Sequence, residues 1–306
     1  MGEILDDMDS RPGSATSLLR TVVGLYLREL GGWIAVPHLL ELLDVVGVPA
    51  PRARTALARV KKKGLLAPET RGQVAGYALV PDAVAMLRRG DRRIRHPRTM
   101  GEGDPWCLVS FSIPEAQRDL RHQLRRRLHW IGCGTVSPAL WICPGFLVDE
   151  VEEILAELGV RQHATVFLTE RPRVGGELRA AVAGWWDLEA LRRLHDAFLA
   201  EHAGAAVAGG GAAADPAAAG AAAASRAAAS GGDAAAADAA AFAAYVRAID
   251  TWRIIPYLDP GLPSELLPPD WPGAASAELM ASLRARFAAP AARFAAGPAP
   301  RIRSPW

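Results

Sequence analysis

The sequence predicts an α+β protein in three parts: an N-terminal winged helix-turn-helix, a central ferredoxin-like domain and a mostly helical C-terminal domain. Three patterns carry that expectation. A short cationic helix within PRARTALARVKKKGLL, Pro51–Leu66, follows two apolar helices and leads into a strand–loop–strand. Over residues 105–180 the order reads strand, helix, strand, strand, helix, strand. From residue 185 to 295 aromatic and aliphatic residues recur at helical spacing, interrupted by an Ala/Gly-rich insertion over 203–241.

Residues 14–87 supply the winged module. Ser14–Leu30 places Leu18, Leu19, Val22, Val23, Leu25, Tyr26 and Leu30 on a helical face, and Gly31 and Gly32 stop it. Trp33–Ala35 is a strand stub, and Pro37–Val45 a second helix with Leu39, Leu40, Leu42 and Leu43 as core. In the third helix Pro51 suits the first turn and Gly64 the end. Its apolar stripe is Ala53, Ala56, Leu57 and Val60; Arg54, Thr55, Arg59 and Lys62 lie roughly opposite, flanked by Lys61 and Lys63. Leu65–Pro68 and Tyr77–Val80, joined by the polar run ETRGQVAG, make a hairpin.

In this fold the third helix enters the major groove and the hairpin approaches the backbone. Arg52, Arg54, Thr55, Arg59, Lys61, Lys62 and Lys63, with Arg71 in the wing, are therefore the DNA-binding candidates. Winged helices also serve as protein-interaction adaptors, where such cations are a solvated face. One short helix reads few base pairs, so a homodimer on a palindromic operator in double-stranded DNA is expected. Residues 88–104 form a basic linker, in which Arg88, Arg89, Arg92, Arg93, Arg95 and Arg98 crowd the stretch 88–98 with the single acid Asp91.

The central domain opens with the strand Trp106–Ile113 and a helix sharing Leu120, Leu124, Leu128 and Ile131. A hairpin around Pro138, a helix marked by Val151, Ile154, Leu155 and Leu158, and the strand Thr165–Leu168 complete it. A dimerising role suits its sheet edge. Arg118, Arg121 and Arg125 line its first helix, as an anion site or as a solvated face. Beyond it, Trp186, Leu188, Leu191, Leu194 and Phe198 share one helix and Phe242, Tyr245, Val246, Ile249 and Trp252 another. The prolines of LDPGLPSELLPPDWPG lock a corner before a last helix.

A formal charge of +2 on 306 residues does not by itself declare a nucleic-acid partner. Cys107, Cys133 and Cys143 form no CxxC pair, and their odd number fits a reducing, cytoplasmic setting. The start MGEILDDMDS is too acidic for a signal peptide, and the alanine-rich tract lacks the bulky apolar side chains of a membrane span. No HExxH, GxSxG or phosphate loop occurs. His122 and His129 stand two turns apart near Cys133 without making a metal pattern. The expectation is a non-enzyme with no cofactor.

The combination GGWIAVPHLLELL, RTALARVKKKGLL, YALVPDAVAML, PWCLVSFSIPEAQRDLRHQLRRRLHWIGCGTVSPALWICP, WWDLEALRRLHDAFL and LDPGLPSELLPPDWPG resembles the PaaX family of bacterial transcriptional regulators. That resemblance spans about Ser14 to Phe287 and implies a repressor released by an aryl-coenzyme A thioester, with phenylacetyl-coenzyme A as prototype. The central segment is similar to the Cas2 ribonuclease-like fold, but Phe111-Ser112-Ile113 lacks the aspartate of Cas2-type domains, so no catalytic carboxylate is implied. A thioester effector needs cations for phosphates and an apolar wall for the acyl group. Arg118, Arg121 and Arg125 are candidates for the first, and Trp185, Trp186, Tyr245, Trp252 and Tyr257 for the second, or else for ordinary core. A different effector, or none, remains the alternative.

Overall fold

The computed structural model describes residues 10–101, 103–207 and 232–297. Most of the expected N-terminal arm, the middle of the insertion and the tail lie outside them.

Helix α1 (Ala15–Val22) is capped by Ser14, whose side chain accepts from the Ser17 N–H, and continues as a π-helical turn over Val23–Leu27. Strand β1 (Trp33–Ala35) and α2 (Val36–Val45) follow. Next come α3 (Ala50–Lys62), β2 (Leu66–Arg71), β3 (Val74–Leu79) and α4 (Pro81–Arg95). The hairpin strands reach further than the sequence suggests, because only Gly72 and Gln73 form the turn. Gly72, with φ 61°, takes the first turn position, where the tight two-residue hairpin calls for glycine. Pro68 fits because β2 is an edge strand in the order β1-β3-β2.

The central elements are β4 (Trp106–Phe111), α5 (Arg118–Trp130), β5 (Gly134–Ser137), β6 (Leu140–Pro144), α6 (Val148–Glu157) and β7 (Ala164–Thr169). They form an antiparallel sheet of order β5-β6-β4-β7. The chain ends with α7 (Leu178–Trp185), α8 (Leu188–Val207), α9 (Gly232–Trp252), α10 (Ile255–Leu258) and α11 (Gly273–Ala296). Helix α7 escapes sequence reading because Leu178, Val182 and Trp185 mark only two turns. Among the described residues no helix is long and apolar enough to cross a membrane.

These elements fall into two compact units that interleave along the chain. The first takes residues 1–91, 198–252 and 277–306; the second takes 92–197 and 253–276. Residues 185–295, expected as one helical domain, divide between the two. Amphipathic helices need an apolar partner, and α9 finds it on α1: Phe242 is fully buried, with ring centroids 5.4 Å from Tyr26 and 5.3 Å from Phe294. The insertion is also shorter than its composition suggests. Helix α8 runs to Val207 and α9 starts at Gly232, with Ala239 buried and Asp238 paired to Arg293 at 2.7 Å.

In the second unit one core lies between the sheet and α5 and α6, around Val109, Leu124, Leu128, Val151 and Leu155. A second joins Trp106 and Ile142 to Val182, Trp186, Leu191, Leu262 and Leu267. Trp186 lies flat against Gly134, where a side chain would collide with its ring, and its indole N–H donates to the Gly132 carbonyl at 2.8 Å.

Candidate nucleic-acid interface

Helix α3 is held by one apolar stripe and a specific stop. Ala53, Ala56, Leu57 and Val60 are buried, as their spacing requires. At the C-terminus Gly64 adopts φ 75°; its N–H donates to Lys61 O at 3.0 Å and the Leu65 N–H to Val60 O at 3.2 Å. This pair of bonds is a Schellman motif. It turns the chain from α3 into β2.

The other face of α3 is open. Arg52, Arg54, Thr55, Arg59, Lys61 and Lys62 are exposed and Lys63 is half-buried. Thr55 spends its hydroxyl on the Pro51 carbonyl at 3.2 Å. Arg59, Lys61 and Lys62 occupy the last turn, where the helix dipole favours cations. Arg52 and Arg54 stand near the first turn, which contains no acid and has no side-chain cap. There the dipole disfavours a cation and favours an anion.

The hairpin is braced by Trp33, which sequence reading left as part of a strand stub. Its ring covers Gly76 on β3, and its indole N–H donates across to Glu69 O on β2 at 3.1 Å. Arg71 lies over that ring at 5.1 Å and donates to the Glu69 carboxylate at 2.7 Å. The exposed hairpin cation Arg71 is thus oriented by two neighbours, the Trp33 ring and Glu69.

The winged-module candidates fall in residues 14–83, which match the family model described as PaaX-like protein. Residues 102–182 match the PaaX protein central Cas2-like domain, and residues 186–297 the PaaX-like protein C-terminal domain. The chain belongs to the PaaX family. It is 25% identical to the transcriptional repressor PaaX of Escherichia coli (strain K12) over 286 residues, covering 92% of this chain and 83% of that protein. An uncharacterized protein from Mycobacterium tuberculosis of known structure shares the fold. It has a TM-score of 0.50 and 23% identity, over 92% of this chain and 98% of the other.

The linker arginines of this PaaX-family chain have structural work. Asp91, on α4, takes Arg28 with both oxygens, at 2.6 and 3.0 Å. In the second unit Arg93 donates to Ile131 O at 2.9 Å and stacks on Tyr257, and Arg98 stacks on Phe146. The effector candidates separate by unit. Tyr245 and Trp252 are buried on α9 in the first. Trp185, Trp186 and Tyr257 belong to the second. There Arg121 donates to Glu115 at 2.8 Å and Arg125 to Pro138 O at 2.7 Å, whereas Arg118 is exposed and 4.0 Å from Asp119.

Sequence reading also missed the clamp that ties α9 to α1. Asp250, fully buried, accepts from the Gly13 N–H at 2.7 Å, the Ser17 hydroxyl at 2.5 Å and the Thr21 hydroxyl at 2.8 Å. The available signal was an acid set in the apolar stripe of Val246, Ile249 and Trp252. A buried carboxylate persists only where donors satisfy it.

Proposed function

We propose that this chain is a DNA-binding transcriptional repressor whose first unit is a winged helix-turn-helix. Helix α3 lies in the major groove, with Arg52, Arg54, Thr55 and Arg59 at base edges or phosphates. Lys61, Lys62 and Lys63 supply attraction to the backbone, and Arg71 on its Trp33 platform meets a neighbouring phosphate. The observation that carries this reading is the pair of exposed arginines near the uncapped start of α3. Their position costs the isolated helix stability, and an anionic partner reverses that cost. The Escherichia coli relative is a transcriptional repressor by name, which supports the same role here.

The protein acts as a homodimer on a palindromic operator in the cytoplasm. An aryl-coenzyme A thioester such as phenylacetyl-coenzyme A releases it, as the family resemblance implies; within the second unit Arg118, Arg121 and Arg125 are candidates for its phosphates and Trp185, Trp186 and Tyr257 for its acyl pocket. Calorimetry with a panel of acyl-coenzyme A esters tests that part.

The DNA reading is tested by gel-shift competition between an operator fragment, recovered by in vitro selection, and random duplex. Replacing Arg54 and Arg59 together by alanine is expected to erase the preference, since each bidentate base contact carries about 1–3 kcal/mol of discrimination. Unchanged preference in the double variant would remove α3 as the reading element.

A further inference from the structure

A cleft of about 240 Å³ opens in the first unit beside the start of α3. Its apolar side is Leu18 of α1 with Val46 and Val48 of the α2–α3 turn; its charged lining is Arg52 of α3, Arg247 and Asp250 of α9 and Glu201 of α8. The Asp250 clamp fixes α9 against α1 at the cleft wall. Gly47, with φ 86°, lets the turn pass close under Arg247, whose Nη2 donates to Val46 O at 3.4 Å.

Two guanidinium groups border this space, each with five donor hydrogens in a fixed fork. Arg247 makes that single long bond, and Arg52 is exposed with no hydrogen-bond or ion-pair partner among the described residues. Gly13, Ser17 and Thr21 all donate to Asp250. Burial, then Asp250, raises the Glu201 carboxyl above its ordinary value while Arg247 opposes the rise.

We propose that this cleft binds a small organic monocarboxylate, its carboxylate between Arg52 and Arg247 and its apolar body on Leu18, Val46 and Val48. Pockets for drug-sized ligands run to roughly 300–1,000 Å³, so a cleft of about 240 Å³ suits a small ligand. A carboxylate is selected over a bare inorganic anion by the apolar wall. Resting on the DNA-binding reading above, the proposal has a regulatory consequence. A bound carboxylate draws Arg52 away from DNA and adds negative charge where phosphate would lie. Ligand and operator then weaken each other by one common factor.

The test is calorimetric titration of the full chain with acetate, butyrate, hexanoate and benzoate, with inorganic phosphate, benzyl alcohol and coenzyme A as controls. One-to-one binding of a carboxylate, absent for the alcohol, coenzyme A and phosphate, is expected. Arg247→Gln should weaken it about tenfold or more, the scale of a lost charged hydrogen bond. Ala15→Phe, which fills the cleft without altering charge, should abolish it. Circular dichroism shows whether each variant is folded. No carboxylate binding tighter than about 1 mM, or equal binding by both folded variants, would overturn the site. Phosphate binding as tight as the best carboxylate would overturn the ligand class. Titration with the selected operator present separates the two readings. Carboxylate affinity unchanged by bound operator overturns the regulation alone, and wild-type protein that binds carboxylate but no DNA overturns the DNA reading while leaving the site.

Discussion

Asp250 shows how much one side chain can hold. It anchors three donors that sit more than 200 residues away in sequence. Asp250→Ala takes this acceptor from the buried Ser17 and Thr21 hydroxyls and is expected to lower stability by about 3 kcal/mol, read as a shift in the denaturant midpoint. His202 makes a second residue-scale prediction. Burial lowers its pKa from 6.5 to about 4, while its Nε2 lies 2.7 Å from the Thr251 hydroxyl. Its folded pKa is depressed, so the unfolded chain binds the proton first as pH falls. The stability it contributes is complete above about pH 6.5 and is lost between there and about pH 4, by up to about 3 kcal/mol. Replacing His202 by glutamine should flatten stability across that window; an unchanged pH slope would show that other groups set it. The three cysteines are buried, and the Cys143 thiol and then burial push Cys107 far above its usual pKa. They should react with a thiol reagent only after unfolding.

At the scale of elements, local chemistry made much of the fold legible. The buried stripe of α3 matches its spacing residue for residue, and Gly64 ends it because only glycine takes the required φ without strain. The strand and helix order of the central sheet follows in the same way from period and turn residues. What stayed hidden depends on distant partners: Trp33 over Gly76, Arg247 beside the α2–α3 turn, and the division of the C-terminal helices between two units. No periodicity within one segment encodes which surface another segment will cover. Of the candidate interface, the cationic open face of α3 could be seen in advance, but the platform under Arg71 and the cleft beside Arg52 could not. The wing offers a direct check. A methyl group at position 76 would collide with the Trp33 ring and the Ile34 carbonyl. Gly76→Ala should therefore cost about 2 kcal/mol, within the range for overpacking, and weaken DNA binding through a displaced Arg71. Melting curves and anisotropy titrations measure the two effects.

For the whole molecule, the interleaved units change what a deletion can be expected to do. By composition residues 203–241 read as an Ala/Gly-rich insertion between two helices. Yet Ala205 O accepts from Arg286 at 2.8 Å, Asp238 pairs with Arg293, and Ala239 is buried within the unit that carries α3. Removing residues 205–240 should destabilise that unit and reduce DNA affinity, which melting and gel-shift measurements would reveal; wild-type behaviour in both would show that these contacts contribute little.

The same interleaving sets an order on synthesis. The ribosome makes α1 to α3 first, but the aspartate that secures α1 comes at position 250, and Phe294, which packs on Phe242, comes later still. A growing chain therefore carries the cationic helix α3 long before it has the parts that finish the surrounding core. Transcripts cut short by a premature stop codon would yield chains with the cationic sequence and no completed scaffold for it. Fragments that end before Asp250 are therefore expected to be digested faster than the full chain, which limited proteolysis of the two would measure.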